Sequence, residues 1–191
     1  MLVRRFLSWV QTAPAAARAS AVSALAKAYL GEEMEARERG EAENALTLML
    51  DDGSAMVRRA LAEALAEAGN APAHLIAALS ADRSDIAAIV LSRSPLPSEA
   101  ELIERVATGD VLVQTAIAIR PFVAAPLSAA IAEVAEVEAL IKLAANPAAQ
   151  ILEFSFMRMV QRHGDVPALR VALLERHDLS LIHISEPTRR S

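Results

Sequence analysis

Apolar side chains recur every three to four positions through most of this chain, the spacing that lines up one face of an α-helix. The clearest stretch comes after Asp52-Gly53-Ser54. There Val57, Leu61, Ala64, Leu65 and Ala68 form one stripe, while Arg59, Glu63 and Glu67 stand on the other side at i, i+4 spacing. Ser54 is placed to cap that helix. Gly69-Asn70-Ala71-Pro72 stops it and starts another at about Pro72, with Leu75, Ile76 and Leu79 turned inward. Upstream, Leu2, Phe6, Trp9 and Val10 share one face of a helix from about Leu2 to Gln11. Ala15 to Leu30 reads as a second helix, with Val22, Leu25, Ala26 and Tyr29 apolar and Gly31 as its stop.

Three X-Pro marks organise the rest of the chain: Ser94-Pro95, Arg120-Pro121 and Asn146-Pro147, spaced 26 residues apart, twice. Proline lacks the backbone N–H and disfavours helical geometry in the residue before it, so each mark ends a helix and turns the chain. Asp82 to Ser84 is a turn, and Ile86 to Ser92 is the short helix before the first mark. Ser98 and Glu101 form a capping box ahead of Leu102, Ile103 and Val106. Gly109-Asp110 ends that helix and caps the next, whose core residues are Val113, Ala116 and Ile117, with Leu112 beside them. Leu127, Ile131 and Val134, then Val137, Leu140, Ile141 and Ala144, repeat the plan. A longer helix is expected over Ala149 to His163, and a last one over Leu169 to Arg176. A fixed period of this length built from helices is the mark of stacked helix pairs.

Composition supports an all-α chain. The hydrophobic fraction is 54%, mostly Ala and Leu, and aromatics are 3%. The formal charge of −5 gives no global attraction to nucleic acid or to an anionic membrane. The run from Glu32 to Glu43 carries most of its charge early, which reads as a solvated helix face; a patch for a basic partner is the alternative. With no cysteine, disulfides and thiolate chemistry are excluded, in keeping with a reducing, cytoplasmic setting. No apolar run is long enough to span a membrane. The N-terminal helix is read as a cap on the stack, with a surface anchor or a cleaved targeting segment as alternatives.

Catalytic constellations are not visible. His74, His163, His177 and His183 have no metal-ligand spacing, the six glycines are scattered singly, and no pair of acids is pinned as acid and base. The expectation is therefore a non-enzyme without cofactor, binding an unknown protein through the second helix of each unit. Those inner stretches are roughly Arg58 to Glu63, Ile86 to Ser92, Val113 to Arg120 and Val137 to Lys142, with Arg59 and Gln114 as the partner contacts. Nucleic-acid binding is the runner-up, and Arg58, Arg59, Arg83, Arg93, Arg105 and Arg120 would have to line the groove.

Two resemblances sharpen this. Asp52, Val57, Arg58, Ala60 and Leu65 at their spacings resemble one HEAT repeat, whose Asp and Arg pair between neighbouring units; later units carry Ala88 and Ala116 where the Arg would recur. Val57 to Leu65, Ser94-Pro95-Leu96 with Glu101-Leu102-Ile103, and Gln114 to Pro121 are similar to a bacterial family known as domain of unknown function 2336. Leu143 to Pro147 and Leu174 to Leu179 extend that similarity. The resemblances imply a HEAT-like, right-handed α-solenoid of antiparallel helix pairs, with capping helices over 1–51 and repeats over 52–178. They supply no activity or catalytic residue. Leu179 to Arg189 resembles a translated sequencing adapter, so residues 179–191 are expected to be a non-native tail on a solenoid truncated near Asp178.

Overall fold

The computed structural model describes Phe6, residues 8–31 and residues 34–176. Among these residues the protein is all-helical; the only β pairing is an isolated parallel bridge between Val123 and Ala149. The expected tail, residues 177–178 and half of the expected first helix (residues 2–5 and 7) lie outside the described residues; Phe6 and residues 8–10 are helical. The chain divides between Pro97 and Ser98 into two compact units.

Unit 1 contains α1 (Ala15–Leu30), α2 (Ala36–Leu48), a 3₁₀ turn (Met49–Asp51), α3 (Ala55–Leu65), α4 (Ala73–Ser80) and α5 (Ser84–Arg93). Helix α1 packs against α3 and α3 against α5, while α2 lies on α1 and α4 on α5. The packing follows the stripes: Val22, Ala26, Leu46, Val57, Leu61, Leu65, Leu75, Ile76, Leu79, Ile86 and Val90 share one core. Ser54 does precede α3, yet its hydroxyl makes no cap bond. The local turn is held instead by Asp52, whose carboxylate accepts the Ser54 N–H at 2.8 Å.

Unit 2 contains α6 (Glu99–Thr108), α7 (Val111–Ala118), α8 (Ala125–Val134), α9 (Val137–Ala145), α10 (Glu153–His163) and α11 (Pro167–Leu174). Two rows run through it: α6 on α8 on α10, and α7 on α9 on α11. The capping box of Ser98 and Glu101 is present, and Asp110 caps α7 by accepting the Leu112 and Val113 N–H groups. Gly109 is required by close approach: a Cβ there would stand 2.5 Å from Val113 Cγ1 and 2.6 Å from the Arg105 carbonyl. All three X-Pro marks come just after a helix end, those of α5, α7 and α9.

Three expectations change. The helix expected from Ala149 starts at Glu153, because residues 148–150 pair with Val123: the Gln150 N–H donates to the Val123 carbonyl at 2.9 Å. The last helix is Pro167–Leu174, shifted toward the proline that fits its first turn. Leu112 and Val134, read as core, are 45% exposed each, since their neighbours Val113 and Ile131 take the buried positions.

Candidate functional site

Side chains that carry helix-to-helix contacts must be separated from those left for a partner. In unit 1 the contacts are ionic. Arg18 on α1 forks onto Asp52 with two 2.8 Å bonds, and Arg58 on α3 forks onto Asp82 at 2.6 and 3.0 Å. Arg58 also donates to the Asp52 carbonyl at 2.6 Å, so Arg18, Asp52, Arg58 and Asp82 form one continuous chain of bonds. Hydrogen bonds from Arg18 and from the Ser54 N–H hold the Asp52 carboxyl below its ordinary pKa, and those from Arg58 do the same for Asp82. The pairing between Asp and Arg expected from one repeat thus recurs twice. Arg18 and Asp82 escaped the sequence reading because the spacings differ, Arg18 to Arg58 and Asp52 to Asp82 being separated by unequal lengths of chain.

Unit 2 uses amides and guanidiniums on backbone carbonyls. Gln114, expected to be a partner contact on the surface, is 6% exposed. Its side-chain NH₂ donates to the carbonyls of Val106 and Gly109 at 3.0 and 3.3 Å, and its oxygen accepts the Glu136 N–H at 2.9 Å. It is a cross-link between α6, α7 and the start of α9. Asn146 donates to the Ala118 and Arg120 carbonyls, Arg162 to those of Ala132 and Ala135, and Arg176 to those of Ala144, Asn146 and Ala149. Each satisfies carbonyls at a helix end, where helical partners run out. Asn146 stood out in the sequence only as part of the third X-Pro mark, and Arg162 and Arg176 have no sequence period that would have pointed to them.

Arg59, the other expected contact, is on the surface, where its guanidinium pairs with Asp85; Arg83 reaches the same carboxylate at 3.2 Å. Arg93 lies 3.8 Å from Glu67. Four of the six arginines weighed for nucleic acid therefore meet a carboxylate in unit 1. Of the other two, Arg105 adds to the pull that keeps Glu101 below its ordinary pKa, behind the Ser98 hydrogen bonds. Partial burial holds the Arg120 guanidinium below its ordinary pKa.

His74 places Nε2 3.0 Å from the Thr47 hydroxyl and Nδ1 3.8 Å from Glu43, whose carboxylate also accepts the Tyr29 hydroxyl at 2.8 Å. Burial, then the Glu43 carboxylate, pushes the Tyr29 phenol up. Among the described residues no three His, Asp or Glu side chains could hold a metal ion. No helix among them is long and apolar enough to cross a membrane.

What remains for recognition is apolar. Among the described residues, eleven of the fourteen exposed large hydrophobic ones belong to unit 2. Val111, Leu112, Ile119 and Phe122 lie along α7 and the turn after it. Leu152, Phe154, Met157 and Val160 lie along α10. Sequence reasoning missed these faces because an apolar residue at helical spacing reads as core by default.

A family model described as an uncharacterised protein conserved in bacteria, DUF2336, matches residues 86–186. The chain belongs to this family. The DUF2336 match begins at Ile86 in α5 and takes in all of α6 to α11, so the Val57 to Leu65 stretch lies outside it. At its other end it runs to Glu186, eight residues into the segment that resembles adapter sequence. No curated protein and no solved structure matches the chain.

Proposed function

We propose that this DUF2336 protein is a non-catalytic scaffold that binds another protein through the second-helix row of its units. In this reading it is a cytoplasmic, HEAT-like right-handed solenoid of antiparallel helix pairs. The alternate-helix packing within each unit supports the stacked-pair plan, since successive pairs in a solenoid contact like helix with like helix. The absence of cysteine supports a reducing compartment.

The observation that carries the binding role is the apolar surface of α7. Val111 and Leu112 on α7, a helix of the proposed binding row, and Ile119 and Phe122 in the turn after it are each at least 40% exposed. Side chains of this size grouped on one helix mark an interaction site more often than a solvated face. Nucleic-acid binding has weaker support, because Arg58, Arg59, Arg83 and Arg93 are engaged by carboxylates.

The test is a pull-down from native lysate using the full chain and two paired variants. Leu112→Glu with Ile119→Glu is expected to lose the specific partner, and Arg59→Glu with Asp85→Arg to reduce its recovery less. Equal loss from both pairs, or tight salt-sensitive DNA binding by the purified protein, overturns the reading.

A further inference from the structure

Asp52-Gly53 is the one place in the chain where an acid or amide side chain directly precedes a glycine. The Gly53 nitrogen can attack the Asp52 side-chain carboxyl carbon. A C–N bond forms, the nitrogen gives up its proton and the carboxyl its hydroxyl. One water leaves, and a five-membered succinimide ring joins side chain to backbone. Water then opens the ring. Opening at the side-chain carbon restores aspartate. Opening at the backbone carbonyl carbon leaves isoaspartate, an isomer in which the main chain runs through the side-chain carbon. Glycine favours ring closure because no Cβ shields its nitrogen. Gly53 is exposed, with nothing within 4 Å of where a Cβ would stand, so its surroundings put no obstacle in the way.

What stands in the way is the bonding of the carboxylate itself. Arg18 donates from Nε to Oδ2 and from Nη2 to Oδ1, and the Ser54 N–H donates to Oδ1, each at 2.8 Å. The last of these carries the carboxylate past the Gly53 nitrogen to the next one along. Ring closure requires a carboxyl that is protonated and turned back onto Gly53, and both changes break the fork. The Asp52 side chain is only 6% exposed, and the same bonds hold its carboxyl below its ordinary pKa, so the reactive acid form is scarce. On the backbone side, the Asp52 N–H donates to the Met49 carbonyl at 3.2 Å, and the Asp52 carbonyl accepts from Arg58 at 2.6 Å. The second bond fixes the peptide plane that holds the attacking nitrogen.

We propose that Asp52 is an isoaspartate-forming site that the Arg18 fork holds unreactive, so that the ionic chain of unit 1 protects the backbone it joins. Isoaspartate moves one methylene from the side branch into the main chain and leaves the carboxylate directly on Cα. The shortened branch no longer spans to the Arg18 guanidinium, so α1 is unfastened from the turn before α3, and the product cannot rebuild the guard that failed. This proposal is independent of the partner surface on α7.

The test is to incubate the full chain at neutral pH, warm but below its melting transition, and to follow isoaspartate with time. Trypsin cuts after Arg39 and Arg58, so one peptide carries the site, and electron-transfer fragmentation separates Asp52 from Asp51. Arg18→Ala is expected to form isoaspartate at Asp52 about tenfold faster than wild type, since hydrogen bonds to a charged group of this strength no longer oppose ring closure. The urea-unfolded chain should be at least as fast as that variant. Gly53→Ala added to Arg18→Ala should bring the rate back down; the open space around Gly53 accepts the methyl, and its φ is not positive. Leu75→Ala, which loosens the core of unit 1 without touching Asp52, separates the fork from general instability and should stay near the wild-type rate. Equal rates in wild type and Arg18→Ala, or Leu75→Ala as fast as Arg18→Ala, overturn the proposal.

Discussion

An arginine on α1 and another on α3 reach aspartates that precede α3 and α5, so unit 1 joins alternate helices by paired charges. Unit 2 joins its helices chiefly by laying Gln114, Asn146, Arg162 and Arg176 onto backbone carbonyls at helix ends, beside a half-exposed charge pair of Arg158 with Glu133 between α10 and α8. Both devices solve the same problem, which is to fix the register between stacked helices whose Ala- and Leu-rich faces are smooth. They differ in what can disturb them. A carboxylate can be neutralised by acid and screened by salt. A carbonyl cannot titrate, but it is left unsatisfied when its donor is removed. The same difference separates the surfaces: unit 1 covers its helices with paired charges, and unit 2 leaves apolar residues on α7 and α10 in water.

The largest expected effect comes from breaking the carbonyl device where it is deepest. Gln114→Leu keeps the volume of the side chain but orphans two carbonyls and the Glu136 N–H. Buried polar groups left without partners cost about 1–3 kcal/mol each, and partial rescue by water lowers the sum, so about 3 kcal/mol is expected. For a chain of this length that is a fall in Tm of roughly 6–12 °C, measurable by calorimetry. A loss under about 1 kcal/mol would mean that the amide bonds add little to the register.

Breaking the ionic device should cost less. Arg58→Ala removes the fork onto Asp82 and the bond to the Asp52 carbonyl, but both side chains keep some contact with water, 16% and 13% exposed. Bonds to charged groups at partly screened positions predict a loss of about 2 kcal/mol. A double-mutant cycle with Asp82→Asn should return a coupling energy of the order of 1 kcal/mol, and a coupling near zero would show the pair to be incidental.

How much of this could be read in the sequence depends on whether the signal was local. The bounds of α1, the capping box at Ser98 and the helix ends before Pro95, Pro121 and Pro147 rest on neighbours in the chain, and all were legible. The start of α10 was not, because Val123 and Ala149 pair across 26 residues and nothing near Ala149 announces it. Gln114 was misplaced for a different reason. Val113, Ala116, Ile117 and Ala118 are buried around it, so α7 is enclosed on most sides and its periodicity could not separate an inner amide from an outer one. The ionic chain was half legible: Asp52 and Arg58 stand close in sequence, and Arg18 and Asp82 do not. The candidate faces on α7 and α10 were hidden by the ordinary expectation that Leu, Ile and Phe go inside.

Acid should distinguish the two devices more gently than mutation. Asp52 and Asp82 have folded-state pKa values below the unfolded value of about 3.9. Their contribution is therefore complete above that value and is lost as pH falls through the folded values. The urea midpoint of wild type should drop between pH 5 and pH 2.5, and Asp82→Asn should drop less over the same window because it no longer has that proton to take up. Gln114→Leu should keep the wild-type slope, shifted down as a whole. Glu101 and Glu133 in unit 2 are also held low, by Ser98 and Arg158, but both are exposed and add little. A Gln114→Leu slope flattened as much as that of Asp82→Asn would contradict the division.

The smallest effect concerns two buried serines, one in each unit. Ser80 in unit 1 donates to the Ile76 carbonyl at 2.8 Å, one helical turn back, so its hydroxyl is satisfied. Ser128 in α8 is fully buried, and its hydroxyl is the one buried side-chain oxygen among the described residues without a partner. An orphan hydroxyl keeps its desolvation cost with nothing gained in return, whereas an alanine methyl carries no such cost and leaves only a small gap. Alanine also has the higher helix propensity. Ser128→Ala is expected to raise stability by about 0.5 kcal/mol, and Ser80→Ala to leave it unchanged or lower it by a similar amount, because that substitution gives up a bond. Chemical denaturation of the two variants side by side resolves the sign. If Ser128→Ala destabilises as much as Ser80→Ala, the Ser128 hydroxyl has a donor or acceptor in solution, and the core of unit 2 is less dry than its alanines imply.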